Sequence, residues 1–227
     1  MQNVGAGFYI TKRGGQVTYH GPGQIVGYAL FDLNAMQTPT RCYVEYLQAL
    51  LAEYNRDLGL EVYAPHPDGH VGVFPTETSK VGKKTRSSCS LLATAAHPLR
   101  TNAQVASIGI HLRHRVTSHG FAMNITPEPK AWFDLVTACG LDDVRAVSIH
   151  DLINALPADK RPPLPSVRDV ANALVPRFAD TFKREFLPLE DGSGDEIDKV
   201  KEIVEDTEHE AAKALREAGA WPTAPKV

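Results

Sequence analysis

Three long stretches of the chain carry apolar residues at the three- and four-residue spacing of an amphipathic helix. The first follows Thr38-Pro39 and is stopped by Gly59, and the other two cover residues 167–186 and 195–218. Pro176 has no backbone N–H, so we expect it to kink or divide the second stretch. Two capping-box pairs, Ser148 with Asp151 and Ser166 with Asp169, predict the starts of a short helix over 151–156 and of the second long helix.

Short runs of β-branched and aromatic residues between turn signals predict strands. These runs cover residues 7–10, 16–20, 24–31, 60–64, 71–74, 105–110 and 121–125. Residues 21–23 and 118–120 are predicted to be turns because they contain Gly or Pro. Since strands and helices interleave along the chain, the predicted fold class is α/β (α+β), with a mixed β-sheet flanked by helices.

A glycine-rich segment, residues 12–28 (KRGGQVTYHGPGQIVGY), does not suit the interior of an ordinary strand or helix. Glycines at this density permit positive φ angles or the close approach of another backbone. We therefore predict that this segment is a strand–turn–strand wall of a ligand pocket.

Residues 76–103 are polar and basic and have no clear period, which predicts a long surface insertion. The predicted domain organisation is one domain over residues 1–187 containing this insertion. Residues 188–227 would add a linker and an acidic amphipathic C-terminal helix.

Composition and charge exclude several classes of function. The 227 residues carry a net charge of −3, of which residues 188–227 hold 11 acidic and 5 basic side chains. The weakly basic remainder does not indicate nucleic-acid binding, and no apolar run reaches membrane-spanning length. The three cysteines are odd in number, which argues against a disulfide framework, and they lack zinc-site spacing. Cys42 lies in the first turn of the first predicted helix and is predicted to be a packing residue. His111 and His114 have no further ligands nearby, so no metal is predicted.

Cys139, His20 and His119 are the candidate catalytic residues by residue type. Cys139 ends a short helix predicted after Pro127 and Pro129, where the negative end of the helix dipole would raise the pKa of a thiol. A reactive cysteine there needs a cation or a histidine from elsewhere in the fold. A packing role is the alternative for the cysteine, and a structural role is the alternative for each histidine.

Four strings occur in the order found in the lipoate–protein ligase B family. They are RGGQVTYHGPGQIVGY (13–28), QVASIG (104–109), TSHGFAMNI (117–125) and ACGL (138–141). The chain resembles this family from about Phe8 to His150 apart from the insertion, and the insertion and acidic extension look more like a fungal or other eukaryotic member. The family consists of octanoyltransferases of lipoate biosynthesis with a biotin/lipoate ligase-like fold, and the resemblance implies no ATP and no cofactor.

The resemblance implies that an octanoyl or lipoyl group passes from acyl carrier protein to Cys139 as a thioester, and then to a lipoyl-domain lysine. The implied partners are octanoyl-acyl carrier protein, the lipoyl domains of 2-oxoacid dehydrogenase complexes and the glycine cleavage H protein, and we expect a monomer. We expect His20 and His119 to position or move the proton of the amine. The location would be mitochondrial in a eukaryote and cytoplasmic in a bacterium, and no presequence is visible.

The resemblance also implies which residues form the acyl site. The predicted acyl site contains Arg13, Gly14, Gly15, Gln16, Val17, Thr18, Tyr19, His20, Ser107, Ile108, Gly109, Gly120, Phe121 and Ala122.

The sequence departs from the family pattern at Gln104, where the family has a lysine whose ammonium lowers the pKa of the cysteine. Three explanations stay open: an engineered substitution, a natural variant rescued by Lys80, Lys83 or Lys84, and an impaired relative that binds acyl carrier protein or lipoyl domains. The segment ahead of the RGG motif is also shorter than in the family, which we interpret as an incomplete gene product or a truncation. An ATP-dependent lipoate ligase is a further alternative, and it would need an adenylate site.

Overall fold

The computed structural model describes residues 7–15, 17–65, 69–76, 83–84, 96–97, 103–135 and 145–218. The strands are β1 (Gln24–Tyr28), β2 (Val62–Tyr63), β3 (Gly72–Pro75), β4 (Lys83–Lys84), β5 (Ala96–His97), β6 (Ala103–Gln104), β7 (Ala106–Arg113), β8 (Val116–Asn124) and β9 (Arg145–Ala146). The helices are α1 (Thr40–Asp57), α2 (Lys130–Phe133), α3 (Ile149–Ala155), α4 (Val167–Phe182) and α5 (Asp195–Ala218), and Ala158–Lys160 and Leu189–Asp191 are 3-10 turns.

Five strands form one antiparallel sheet in the order β1-β8-β7-β3-β2. β6 and β9 form a separate ladder that is parallel, so the strand directions are mixed as predicted. Inside the predicted insertion, β4 and β5 pair as a short antiparallel ladder, which the polar composition did not predict. With helices packed on the sheet, the predicted α/β class is confirmed.

One face of the sheet is covered by α1 and α4. Leu47, Leu50 and Leu51 of α1 are at most 1% exposed and belong to the same buried cluster as residues of the strands. α4 packs on α1 and adds Phe182, whose ring centroid lies 4.7 Å from that of Phe31. Each such buried side chain contributes roughly 1.5–3 kcal/mol, so this helical layer fixes the sheet and leaves its opposite face for other contacts.

The alternation of residues along β7 and β8 gives the sheet two different faces. The face toward the helices carries the apolar residues Ala106, Ile108, Phe121 and Met123, which belong to the core. The other face carries only small residues at the paired positions Ser107↔Ala122 and Gly109↔Gly120. A sheet surface without large side chains leaves space for a neighbouring segment or a ligand.

Both predicted capping boxes are confirmed. The Asp151 carboxylate accepts from the Ser148 N–H at 2.9 Å, and the Ser148 hydroxyl accepts from the Asp151 N–H at 3.1 Å. Ser166 and Asp169 repeat this pattern at 2.9 and 3.2 Å. α4 runs through Pro176 without being divided and ends at Phe182 rather than near residue 186.

The predicted turn at 118–120 is wrong, because these residues lie within β8. The chain reverses at His114 and Arg115, whose φ angles are 49° and 66°. Arg115 is held there by its guanidinium, which donates to the Thr38 carbonyl oxygen at 2.8 Å. Tertiary hydrogen bonding thus stabilises a left-handed turn that contains no glycine.

The strands predicted over 7–10 and 16–20 are also wrong, since residues 7–10 and 17–20 form no regular structure. Gln16 itself lies outside the described residues. Cys42 is disulfide-bonded, so the prediction of a packing cysteine there is wrong.

The predicted C-terminal helix is confirmed as α5, which lies against the 3-10 turn Leu189–Asp191. The Lys201 ammonium donates to the Gly192 carbonyl oxygen at 2.8 Å, while Ile203 of α5 is 63% exposed. Of the helices in the described parts of the chain, none has the length and apolar character needed to cross a membrane.

Candidate functional site

The small-residue face of β7 and β8 is crossed by the RGG segment of the glycine-rich motif. The Gly14 N–H donates to the Ile110 carbonyl oxygen of β7 at 2.8 Å. A Cβ at Gly109 would lie 2.9 Å from the Gly14 carbonyl oxygen, so only glycine permits this crossing. The RGG segment and the SIG string therefore meet backbone to backbone, although about 95 residues separate them in sequence.

A groove of about 420 Å³, open to solvent, lies between these segments. Its lining combines small residues with the apolar side chain of Val26, which shares the face of its partner Ala122. Ile108 and Phe121 also line it, although their side chains belong to the core on the opposite face of the sheet. Arg13 is the one permanently charged side chain among the described lining residues, which include no carboxylate. The full lining is Arg13, Gly14, Gly15, Thr18, His20, Val26, Tyr28, Ser107, Ile108, Gly109, His119, Gly120, Phe121 and Ala122.

The structure brings most of the residues predicted for the acyl site to this one groove. Val17 and Tyr19 do not line it, and Gln104 lines a neighbouring cavity instead. Gln16 and Cys139 lie outside the described residues. Val26 and Tyr28 were missed as site residues, although both alternate along β1 on the face of their partners Ala122 and Gly120.

His119 adopts a strained backbone conformation at the edge of the groove. Its φ angle is 61°, although it lies within β8 and pairs with Ile110 of β7. A non-glycine residue in this region costs about 1–3 kcal/mol and persists only where its surroundings hold it. Residues in such conformations are concentrated at functional sites, which favours His119 as a candidate functional residue. Its ring centroid lies 6.0 Å from that of Tyr28.

His20, the other candidate histidine, is tied to the sheet by side-chain amides. His20 Nδ1 lies 2.8 Å from Gln24 Oε1. Gln24 Nε2 donates to Asn124 Oδ1 at 2.8 Å, and Asn124 Nδ2 donates to the Val147 carbonyl oxygen at 3.2 Å. An exposed imidazole at the groove is thereby connected to a buried amide, since Asn124 is only 4% exposed.

Tyr19 points away from the groove and packs on α2. Its ring is stacked on Trp132, with centroids 5.1 Å apart and planes at 7°, and meets the edge of Phe133 at 6.1 Å. Burial raises the pKa of the Tyr19 phenol above its ordinary value. Tyr19 therefore fixes the 17–20 segment to α2 rather than contacting a ligand.

Gln104 lies in a neighbouring cavity of about 320 Å³, which shares Ser107 and Ala122 with the groove. Gln104 is 9% exposed and its amide Nε2 donates to the Val71 carbonyl oxygen at 3.2 Å. The permanent positive charge in the described lining of this cavity is Arg145. The position where the resemblance implies a lysine is thus occupied by a neutral amide with a hydrogen-bond partner.

These features define a class of site: a largely uncharged groove with glycine walls, one arginine and two histidines in its lining. Such a groove suits an acyl chain better than a charged nucleotide, because Arg13 is the one permanent cation that its described lining could offer to phosphate groups. Among the described residues, no group of three or more His, Cys, Asp or Glu side chains is arranged to hold a metal.

Comparison with known proteins gives the family. The model of the lipoyl protein ligase A/B catalytic domain matches residues 1–179, so the chain belongs to this family. It is 31% identical to the octanoyltransferase of Cytophaga hutchinsonii over 158 residues, 68% of this chain and 54% of that protein. It is 32% identical to the octanoyltransferase of Koribacter versatilis over 180 residues, 78% of this chain and 59% of that protein.

The chain spans little more than half the length of these two curated relatives. Among solved structures, a T. acidophilum protein with bound lipoic acid aligns with a TM-score of 0.49 at 14% identity. That alignment covers 86% of this chain and 65% of the other.

Proposed function

We propose that this chain is an octanoyltransferase, which moves an octanoyl group from acyl carrier protein through a thioester on Cys139 to a lysine of a lipoyl domain. The observation that carries the proposal is the glycine-walled groove in a chain of the lipoyl protein ligase A/B family. The names of the relatives support the same acyl group and reaction class.

The groove supports the proposal through the chemistry of its lining. Val26 and Ala122, which share one face of the sheet, provide apolar contact for the hydrocarbon chain, while the glycines let it approach the backbone. Arg13 lines the same groove, and its guanidinium can donate to the carbonyl oxygen of the acyl group. A hydrogen bond to that oxygen strengthens as negative charge develops on it during attack.

The reaction balances without ATP because the donor is already a thioester. The Cys139 thiolate attacks the donor carbonyl carbon, a new C–S bond forms, and the carrier thiolate leaves. The neutral amine of the acceptor lysine then attacks the enzyme thioester, the C–N bond forms and the C–S bond to Cys139 breaks. The proton lost by the amine nitrogen passes to a base and then to the departing sulfur.

Intact-protein mass spectrometry after incubation with octanoyl-acyl carrier protein tests the proposal. We expect the mass to increase by one octanoyl group and the adduct to disappear in Cys139→Ser. Addition of a lipoyl domain should then discharge the adduct and acylate the domain without ATP. An adduct that persists undiminished in Cys139→Ser would rule out this nucleophile, and a strict requirement for ATP would favour a lipoate ligase.

A second candidate is a catalytically impaired relative that binds acyl carrier protein or lipoyl domains. Gln104 favours it, because a neutral amide bonded to Val71 cannot stabilise a thiolate through charge. Gln104→Lys separates the two: activation of transfer supports a slow enzyme, and retained partner binding without turnover supports the binding protein. Gln104→Met, which is neutral and of similar length, is the matched control.

The remaining proposals concern partners, location and organisation. We propose the lipoyl domains of 2-oxoacid dehydrogenase complexes and the glycine cleavage H protein as acceptors, and a monomeric catalytic domain over residues 1–187. A eukaryotic source would place the protein in mitochondria. Transfer assays with each acceptor and sedimentation of the purified chain test these points.

A further inference from the structure

We propose that Asn124 and Gln24 are positioning residues that hold His20 protonated on Nδ1, so that Nε2 is the base that receives the proton of the attacking amine. The tautomer follows from hydrogen bonds alone. Its use in catalysis rests on the proposed octanoyl transfer.

The direction of the hydrogen bonds is fixed at the buried end. A backbone carbonyl oxygen can only accept, so the Asn124 group 3.2 Å from the Val147 oxygen is the NH₂ group. The other side of the Asn124 amide is then its carbonyl oxygen, and it must accept the 2.8 Å bond from Gln24. Gln24 therefore turns its own NH₂ group toward Asn124.

The same logic continues to the imidazole. With its NH₂ group directed to Asn124, Gln24 presents its carbonyl oxygen to His20 at 2.8 Å. That oxygen accepts, so His20 Nδ1 carries the hydrogen. A neutral imidazole has one N–H and one lone pair, which leaves the lone pair on Nε2.

This series of hydrogen bonds begins at Asn124, which is held rigidly in the sheet, and ends at His20 in the groove. Gln24 and Asn124 are directly paired across β1 and β8, and the Asn124 N–H also donates to the Val105 carbonyl oxygen at 3.0 Å. His20 is exposed and lines the groove. Without the amides, an exposed imidazole would rotate freely and populate both tautomers. The ring of His119 has no hydrogen-bond partner among the described residues, so its tautomer is not fixed in this way.

In the transfer step the amine nitrogen forms the C–N bond while its proton moves to His20 Nε2. The C–S bond breaks, and the proton then passes from the imidazolium to the thiolate, which restores both groups. The products are the amide and the free thiol. A base of this kind contributes about 10²- to 10⁴-fold to the rate, and a misoriented ring loses part of that factor.

Long-range ¹H–¹⁵N correlation NMR of the purified chain tests the tautomer directly. At about pH 8.5, roughly two units above the ordinary imidazole pKa, histidines with ordinary titration are neutral. We expect the His20 hydrogen on Nδ1, and we expect Gln24→Met to abolish this preference. His20→Gln assigns the signal by removing it. A wild-type His20 protonated on Nε2, or a preference unchanged in Gln24→Met, overturns the inference.

His150 provides an internal control in the same spectra. Its Nε2 lies 2.9 Å from the Pro165 carbonyl oxygen, so His150 should show the opposite tautomer. That signal should not change in Gln24→Met. If the tautomer preferences of His20 and His150 were lost together in Gln24→Met, the variant would have lost its structure generally. Asn124→Ser, which removes the amide that orients Gln24, would then test the His20 tautomer in the same type of spectrum.

The catalytic part is tested by single-turnover transfer from the preformed octanoyl-enzyme. We expect Gln24→Met to slow transfer about 10-fold or more at saturating acceptor, with little change in KM. Gln24→Glu should restore much of the rate, because a carboxylate also accepts from Nδ1–H. A wild-type transfer rate in Gln24→Met overturns the role of His20 as the base. Absence of transfer in the wild-type protein overturns it as well, together with the proposed function. The NMR result on the His20 tautomer is independent of both outcomes.

Discussion

Gly120 of β8 lies against the backbone of Gly27 in β1. A Cβ at position 120 would be 2.1 Å from the Gly27 carbonyl oxygen, a distance that no real side chain permits. A Cβ at position 27 would in turn lie 2.2 Å from the Phe121 ring. The HG string of β8 and the last glycine of the motif therefore provide close strand packing at the groove, rather than turns.

Replacement of Gly120 by alanine should destabilise the fold, because the added methyl must push β1 away from β8. We expect Gly120→Ala to lower the free energy of unfolding by about 1–3 kcal/mol, the usual cost of overpacking, as measured by urea denaturation. Gly14→Ala is the control, since its Cβ would lie 3.4 Å from the nearest atom and its φ is not positive. Equal stability of the two variants would contradict the close approach.

Elements that local chemistry determines could be predicted from the sequence. α1 follows its apolar spacing, and each capping box forms because its two partners are only three residues apart. The motif strings also predicted most of the groove lining, because the small residues alternate on one face of β7 and β8.

Features that depend on distant contacts could not be predicted. Residues 17–20 alternate like a strand, but Tyr19 packs on Trp132, 113 residues away, and no strand among the described residues pairs with them. The turn at His114 and Arg115 depends on a hydrogen bond to Thr38, so it carries no glycine signal. Gln24 was missed because its function depends on Asn124, its partner across the sheet.

Thr117 should be an essential polar residue of the core. It is fully buried, its hydroxyl donates to the Ala29 carbonyl oxygen at 2.8 Å, and it accepts from the Phe31 N–H at 2.7 Å. We expect Thr117→Val, which keeps the shape, to lower the free energy of unfolding by about 1–3 kcal/mol because it leaves the Phe31 N–H unpaired. Thr117→Ser keeps the hydroxyl and should cost about 0.8 kcal/mol for the lost methyl. A valine variant more stable than the serine variant would refute this role.

The stacked pair of Tyr19 and Trp132 should couple the 17–20 segment to α2. A double-mutant cycle with Tyr19→Leu and Trp132→Leu should give a coupling energy of about 0.5–1.5 kcal/mol, measured by chemical denaturation. Tyr19→Phe keeps the ring and should retain most of the coupling. Strictly additive single and double mutants would show that the contact does not hold α2.

Asp151 should make stability depend on pH through the junction of α2 and α3. Burial raises the pKa of its carboxyl, but hydrogen bonds from Lys130 at 2.8 Å and from Ser148 outweigh this effect and hold the pKa below its ordinary value. A lowered pKa in the folded state means that the carboxylate stabilises the fold above the unfolded pKa of about 3.9. This stabilisation is lost as pH falls through the still lower folded pKa.

Asp151→Asn should therefore cost about 1 kcal/mol at pH 7, the usual value of a helix cap. The difference from the wild type should shrink progressively at acidic pH, because the wild-type carboxyl is then protonated as well. Urea denaturation of both proteins from neutral pH to about pH 3, below the ordinary carboxyl pKa, measures this.

Asp169→Asn is the matched comparison. Hydrogen bonds from Ser166 also lower the pKa of the Asp169 carboxyl, but this side chain is exposed and its described contacts include no cation. The effect of Asp169→Asn on stability should therefore be smaller. A penalty at Asp151 that is constant with pH would show that the charge does not stabilise the junction. Lys130→Met should lose the same pH-dependent part, because the 2.8 Å ion pair that joins α2 to α3 is then absent.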